Sequence, residues 1–355
     1  MDRVELLQEL SEAFGVSGYE NEVIEIIRKH FGRRVAVSRD RIGSIIGRKD
    51  GTRDSPKIMF SAHMDEIGFM VKDFTKQGFV KFLTVGGWWP GNVPGMKVQI
   101  RTRDGRLVPG VVGLKPIHEL TPEEMKKLPE IKDMYIDVGA TKDFDPKKKL
   151  GIAPGDPVVP AGCFERMANS DLLLGKAWDD RVGCALLVNL LDNLQDVEHP
   201  NSVYLVGSVQ EEVGLRGART SAFAIEPDIG FALDVSICRD TPGNEDEAAE
   251  RLGGGVGVLI YDSTMIPHVK LREYVCDLAE QNKIPYHLAS IKGGYDTGTI
   301  HLTKHGVPCL ALGVPTRYVH SGASVISLDD YDNILKLITS IVKNLNEDVL
   351  KKILE

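Results

Sequence analysis

Residues 57–69, KIMFSAHMDEIGF, decide how this chain folds. Lys57 to Ala62 is a nearly continuous apolar run bounded by polar residues, the pattern of a buried β-strand, and it runs straight into His63-Met-Asp65. Three further runs have the same character: Val203 to Val209, Ile229 to Leu233 and Cys309 to Val314. Such runs suit strands covered on both faces, as in a parallel sheet between helices. Helical periodicity lies between or beside them at Arg181 to Leu194, Val269 to Gln281 and Leu328 to Leu354, the last preceded by Ser327 as a candidate N-cap. Working back toward the N-terminus, Ile42 to Arg48 reads as another strand. Ser17-Gly-Tyr-Glu20 reads as a capping box for a helix carrying Val23, Ile24, Ile27 and Phe31 to about Gly32. The expectation is an α/β protein, a wound mixed sheet with helices on both faces.

From about Gly68 to Cys163 the alternation stops. FVKFLTVGG, MKVQIRTRDGRLVPGVVG and IDVGATKDF read as short strands and turns, with Asp104-Gly105 as a hairpin signal and Thr121 opening a brief helix. This predicts an inserted, small all-β, barrel-like domain over 68–163, interrupting a main domain formed by 1–67 and 164–355. No internal repeat or low-complexity segment stands out.

Composition excludes some function classes. A length of 355 residues allows a large core, and 42% hydrophobic with 26% charged residues is ordinary for a globular chain. The net charge of −8 argues against a nucleic-acid partner, which needs clustered Lys and Arg; the short basic runs Lys126-Lys127 and Lys147 to Lys149 sit beside acidic residues. Five cysteines without a CxxC pair fit reduced, mostly buried thiols and a cytoplasmic location. The opening MDRVELLQELSEAFG is an amphipathic helix with acidic residues rather than a signal peptide. No apolar run is long enough to span a membrane.

Four apolar strands lead into metal-type ligands at their C-terminal ends: KIMFSA into His63 and Asp65, VYLVGSVQ into Glu211-Glu212, IGFAL into Asp234, and CLALGVPTRYV into His320. In open α/β sheets those ends are where ligands bind. Asp179-Asp180, in KAWDDR, precedes the helix that begins near Arg181. Singly, each has an ordinary reading: a hydrogen-bonded HxD loop, solvated acids, a helix cap at one of the two aspartates, a satisfied core histidine. Yet Glu211 and Glu212 follow a run too apolar to be a surface edge, and like charges at a buried mouth need a cation or a proton between them. Together the five elements offer two imidazoles and several carboxylates with no thiolate, a donor set for zinc, cobalt or manganese. Two neighbouring divalent ions need a bridging carboxylate, terminal ligands and a further carboxylate as base, and each role can be filled.

The ordered set HMDEIGF, KAWDDR, QEEVGLRGA, ALDVS, GGYDTG and YVHS, together with the opening GVSGYE, resembles the tetrahedral aminopeptidase family of two-metal exopeptidases, over essentially the whole chain. The resemblance implies a phosphorylase/hydrolase-like, zinc-exopeptidase-type catalytic domain. It implies two divalent ions, zinc or cobalt first and manganese third. His63 and Asp234 would hold one ion, Glu212 and His320 the other, and Asp179 both, with Glu211 as general base and Asp65 fixing the His63 imidazole. It implies peptide substrates with a free N-terminus, and dimers built through the β insertion that assemble into a dodecamer. Asp296 lies in the loop GGYDTG beside the site as a possible substrate contact; Tyr295 stands there where relatives often have Thr. His118, in KPIHEL, is a second possible contact whose ordinary reading is a surface histidine.

Other patterns carry ordinary readings. Gly253-Gly-Gly-Val-Gly precedes no helix and reads as a turn, not a phosphate cradle. GNEDEAAE (243–250) reads as an exposed loop. Trp88 and Trp89 read as local packing or a subunit contact. Rival functions are an amidohydrolase or deacylase using the same metals, a carboxylate-pair glycoside hydrolase, which has no use for the histidines, and an inert assembly protein, for which Glu211 would be superfluous.

Overall fold

The computed structural model describes residues 2–244 and 250–355. Its larger layer is a mixed sheet of 11 strands. The four apolar runs form its parallel centre, in the spatial order Ser202–Ser208, Lys57–His63, Ile229–Ile237 and Cys309–Arg317. Alternate residues of Lys57–His63 enter different clusters, which is why the run is apolar from Ile58 to Ala62 except at Ser61, whose hydroxyl is taken up by Asp296. Ile58, Phe60 and Ala62 join Val182 and Leu186 of the helix Trp178–Asn193, and Phe60 stacks on Phe231 at 5.1 Å. Met59 points the other way, toward Ala218 and Ala222 of the helix Arg216–Ile225 and Ile300 of the short helix Thr297–Ile300. Each buried aliphatic or Phe side chain contributes about 1.5–3 kcal/mol, so a polar residue on either face would be costly.

The second layer is a closed antiparallel barrel of six strands: Gly68–Phe74, Val80–Val85, Tyr135–Asp137, Leu107–Gly113, Lys97–Arg101 and Pro157–Pro160, in that order around it. It has its own core, with Phe69, Val80, Val98, Ile100, Val112, Ile136 and Val158. Asp104-Gly105 does turn a hairpin, with Gly105 at φ 85° donating its N–H to the Thr102 carbonyl. Thr121 opens its short helix with a reciprocal capping box to Glu124. Trp88 stacks on Phe69 at 4.7 Å and donates to the Gly68 carbonyl, whereas Trp89 is 55% exposed.

Several local expectations are corrected. Ser17 and Glu20 make no capping box: the helix Asn21–Phe31 has no side-chain cap, because both side chains are drawn to other partners described below. The C-terminal helical stretch is two helices, Leu328–Asn344 and Glu347–Leu354. Asn346 accepts from the Val349 N–H between them, and Ser327 makes no side-chain cap bond. The third apolar strand continues through Asp234 to Ile237. Of the stretch 243–250, residues 245–249 lie outside the described residues. Glu250 is not exposed; it is buried, pairs with Arg239 and accepts from the Ser290 N–H. The glycine run is a turn, as expected, with the Gly254 N–H donating to the Arg251 carbonyl, and its Gly253 and Gly255 N–H groups donate to the Asp330 carboxylate at 2.7 and 2.8 Å.

Candidate metal centre

At the C-terminal ends of the parallel strands lies a cavity of about 620 Å³, lined among others by His63, Asp179, Glu211, Glu212, Asp234 and His320. His63 ends its strand and Asp234 sits within the neighbouring region of the sheet. Glu211, Glu212 and His320 come from turns that follow strands, and Asp179 lies in the first turn of the helix Trp178–Asn193, where its own backbone is not helical. Several of these turns use left-handed backbone at residues other than glycine: Ala177, Gln210, Leu215, Tyr318 and His320 all have φ between 54° and 62°. That region is uncommon for such residues and recurs where side chains must be aimed.

Asp179 is central. Its Oδ1 lies 2.9 Å from His63 Nε2 and its Oδ2 3.3 Å from His320 Nε2. Glu212 Oε1 is 3.4 Å from His320 Nε2, and Glu211 Oε2 and Asp234 Oδ2 are each 3.9 Å from His63 Nε2. Asp180 does not line the cavity. Its carboxylate accepts from the His63 N–H at 2.9 Å and from the Gly183 N–H at 3.0 Å, so it caps the helix and fixes the strand end. Asp65 accepts three bonds, from Ser17 Oγ at 2.6 Å and from the Glu211 and Glu212 N–H groups at 3.0 and 3.1 Å. His63 Nδ1 meets the Asp65 carbonyl oxygen at 3.0 Å and its carboxylate only at 3.7 Å.

Asp296 does not line the cavity. It is buried beneath it, accepting from Ser61 and Ser208 hydroxyls at 2.6 Å each. His118 is exposed on the barrel and is likewise absent from the lining. The barrel reaches the site elsewhere, through Gly86-Gly87. The Gly87 carbonyl lies 2.8 Å from His320 Nδ1, and a Cβ at Gly86 would meet Ile67 at 2.6 Å and Glu212 at 3.0 Å. Sequence reasoning missed this pair, as it missed Ser61 and Ser208, and it read Ser17 and Glu20 only as a helix cap; the Gly-Gly dipeptide before Trp88 and the opening GVSGYE were the available signals. Tyr295 lines the cavity and donates its phenol to the Val235 carbonyl, beside Asp234.

The electrostatics are those of an anionic cluster that wants cations. Burial, with the charges of neighbouring carboxylates such as Asp234 and Glu212, pushes the Glu211 carboxyl well above the usual range. Burial and Asp179 do the same to Asp234, and burial with Asp179 raises Glu212. Burial disfavours charge on His320, yet Asp179 and Glu212 beside it win and hold its imidazole up to about 11. At Asp65 burial is likewise outweighed, by His63, Ser17 and the Glu211 N–H, and the carboxyl is lowered. Glu212 Oε1 is buried without a hydrogen-bond donor. Two triads share His63, one with Asp179 and Glu212 and one with Asp180 and Asp234, their ligand atoms all within 4.8 Å of one another. Since both Asp180 oxygens already accept backbone N–H groups, the first triad is the freer. Cys184, nearby, donates its thiol to the His63 carbonyl, and burial pushes it up, so it stays a thiol. The donor set is imidazole and carboxylate, and it fits divalent metal ions.

An acidic, histidine-bearing pocket at the strand ends of a mixed α/β sheet defines a metal-dependent hydrolase. Residues 43–337 match the family described as M42 glutamyl aminopeptidase. The TET aminopeptidase from the marine sediment archaeon Thaumarchaeota archaeon SCGC AB-539-E09 is 39% identical, with a TM-score of 0.95 over 99% of each chain. The glutamyl aminopeptidase of Lactococcus lactis subsp. cremoris is 33% identical, covering 99% of this chain and 98% of its own. Pyrococcus horikoshii TET1, solved as a dodecamer, is 30% identical with a TM-score of 0.86 over 97% of this chain and 100% of that one. The chain belongs to the M42 glutamyl aminopeptidase family and is a metal-dependent aminopeptidase, a hydrolase of peptides.

Proposed function

We propose that the cavity holds two divalent metal ions, zinc or cobalt first and manganese third, with His63 and Asp234 on one, Glu212 and His320 on the other, and Asp179 shared. The observation that carries this reading is the meeting of these five side chains and Glu211 around one cavity, with Asp179 within 3.3 Å of both imidazoles. Bound there, such ions polarise a carbonyl and lower the pKa of a water. Glu211 acts as general base and then acid. Its carboxyl makes no hydrogen bond among the described residues, and its raised pKa suits a group that takes a proton from water and returns it to the leaving amine. Asp65 is a positioning residue, holding the backbone that presents Glu211 and Glu212. The remaining carboxylate charge attracts the ammonium of a free N-terminus and places the first peptide bond at the centre.

The reading extends to organisation. Residues 1–67 and 164–355 form the catalytic domain, of zinc-exopeptidase type, and 68–163 form a dimerisation domain. Exposed Trp89, Ile117 and Leu128 of that barrel region are available for contact. Homo-oligomerisation into a dodecamer follows the Pyrococcus horikoshii relative, with dimers through the barrel as its building blocks in this chain. A cytoplasmic location fits five free thiols. Among the described residues no helix is long and apolar enough to cross a membrane.

The test is a panel of free and N-acetylated aminoacyl chromogenic amides, offered to metal-stripped protein before and after adding zinc or cobalt. Cleavage of free-amine substrates alone, and only with metal, is expected. Equal cleavage of blocked substrates would transfer the site to deacylase chemistry.

A further inference from the structure

Glu20 stands outside every metal motif, on the opening segment, yet it is 5% exposed and aimed at the catalytic turn. Its Oε1 accepts from the Gly18 N–H at 2.7 Å and from the Gln210 N–H at 3.1 Å. Gln210 immediately precedes Glu211 and carries a φ of 57°, a conformation a residue with a Cβ adopts only when its surroundings hold it. One turn earlier, Ser17 donates to the Asp65 oxygen that also receives the Glu212 N–H. Three consecutive backbone N–H groups, of Gln210, Glu211 and Glu212, are thus received by two buried carboxylates, Glu20 and Asp65. The segment is itself fixed: the Glu66 N–H and Arg181 Nη2 donate to the Gly15 carbonyl, and the Tyr19 hydroxyl donates to the Gly155 carbonyl at the barrel.

We propose that Glu20 is a positioning residue for the reaction: its carboxyl oxygen holds the left-handed backbone of Gln210 and so aims the Glu211 side chain into the site. The proposal rests on the assignment of Glu211 as general base. What matters in this role is an oxygen acceptor at the Gln210 N–H, not a charge. Glu20→Gln keeps that acceptor, and Glu20→Met keeps the volume and removes it.

The experiment compares kcat, KM, bound metal and Tm for wild type, Glu20→Gln, Glu20→Met, Glu211→Gln and the double variant Glu20→Met/Glu211→Gln. Glu20→Met is expected to lose about 10- to 100-fold in kcat, the scale for misplacing a reacting group by an ångström, with KM within about twofold and metal retained. Glu20→Gln should stay within about threefold of wild type. In the Glu211→Gln background the further loss from Glu20→Met should fall below about twofold, because residues that act as a unit are not additive. An undiminished loss in that background, or a Glu20→Met enzyme at wild-type kcat, overturns the proposal. If Glu20→Met does not fold, Glu20→Asp carries the test, because it keeps the carboxylate but draws its oxygen one methylene back from the Gln210 N–H, and a wild-type kcat there overturns the proposal. Full turnover by Glu211→Gln would instead sink the base assignment, which is a separate result.

Discussion

Asp65→Asn separates holding the fold from aiming the chemistry. The wild-type carboxylate receives the Glu211 N–H on Oδ1, and the Glu212 N–H and Ser17 hydroxyl on Oδ2, all in a fully buried setting. An asparagine offers one acceptor oxygen and one NH2. If the NH2 takes the Oδ1 position it faces the Glu211 N–H; if it takes the Oδ2 position Ser17 can turn its hydroxyl to accept, but the Glu212 N–H is stranded. Either way one buried backbone donor loses its acceptor, at about 1–3 kcal/mol, and the remaining bonds lose their charge assistance, for a total of about 2–4 kcal/mol. At the lower end of the usual 2–4 °C per kcal/mol that is a fall in Tm of about 4–8 °C. Because the stranded donor belongs to Glu211 or Glu212, kcat should fall by about 10- to 100-fold as well. The carboxyl is lowered from its ordinary value of 3.8 in the folded chain. Its stabilising contribution is therefore full above about pH 4 and is lost as pH falls through the lowered value, so the Tm gap between variant and wild type should narrow in acid. Asp330→Asn is the control, since Asp330 also receives two backbone N–H groups, of Gly253 and Gly255, but does not line the cavity. Thermal melts and steady-state kinetics on both variants decide the matter. If Asp65→Asn melts early, as the control does, yet keeps wild-type kcat, the carboxylate has no part in aiming Glu211 and the reasoning fails.

Glu211→Gln is expected to keep its metal by elemental analysis and lose about 10²–10⁴-fold in kcat; turnover near wild type would remove Glu211 from the mechanism. Metal loading should release protons, because Glu211, Glu212 and Asp234 are raised, and His320 is held at about 11, in the metal-free chain. Apparent affinity should therefore climb with pH across the neutral range, and calorimetry in buffers of different ionisation enthalpy that shows no proton release would contradict this. Metal at 100 times its Kd should stabilise by about 2.7 kcal/mol, and a Tm unmoved by chelation would argue against a folded-state site. Among the described residues Lys292 is the sole Lys or Arg lining the cavity, and its ammonium has no partner. Lys292→Glu should shift the ratio of kcat/KM for acidic over basic first residues downward by about tenfold, read on paired glutamyl and lysyl amides.

The parallel centre of the sheet was legible because a strand buried on both faces is apolar at nearly every position, so Lys57 to Ala62 and its three companions stand out from their surroundings. The ligand side chains were legible for a related reason: a polar residue directly after such a run is placed at a sheet end by the run itself. What was not legible is contact between segments distant in sequence. Ser17 and Glu20 have the residue types and spacing of a capping box, and a helix does follow. The same hydroxyl and carboxylate instead found Asp65 and the Gln210 N–H, groups of equal hydrogen-bonding power brought close only by the finished fold. The helix break at Leu345–Asn346 was hidden because the apolar spacing continues on both sides of it. Gly86 and Gly87 have no side chain to announce that Glu212 and His320 lie against them.

Beneath the site lies a buried ionic group that such an anion-rich centre makes intelligible. Glu66 accepts from Lys176 Nζ at 2.6 Å and from Arg181 Nη2 at 3.3 Å, all three side chains at 4% exposure or less. Arg181 also donates to the carbonyls of Leu10, Ala13, Gly15 and Met64. The first two belong to the C-terminal end of the opening helix Arg3–Glu12 and its flank, where unpaired carbonyls and the helix dipole favour a cation. Replacing such a cluster by apolar residues of like volume is often neutral or stabilising, so net stability is a poor reason for its presence. Its geometry offers a better one. Arg181 follows Asp179-Asp180, Met64 follows His63, and Gly15 opens the segment that carries Ser17 and Glu20. One guanidinium therefore fixes, relative to each other, the shared metal-site carboxylate, the first imidazole and the clamp on the Glu211 turn. Apolar packing could fill that volume, but it has no directional bonds with which to hold three chain segments in register.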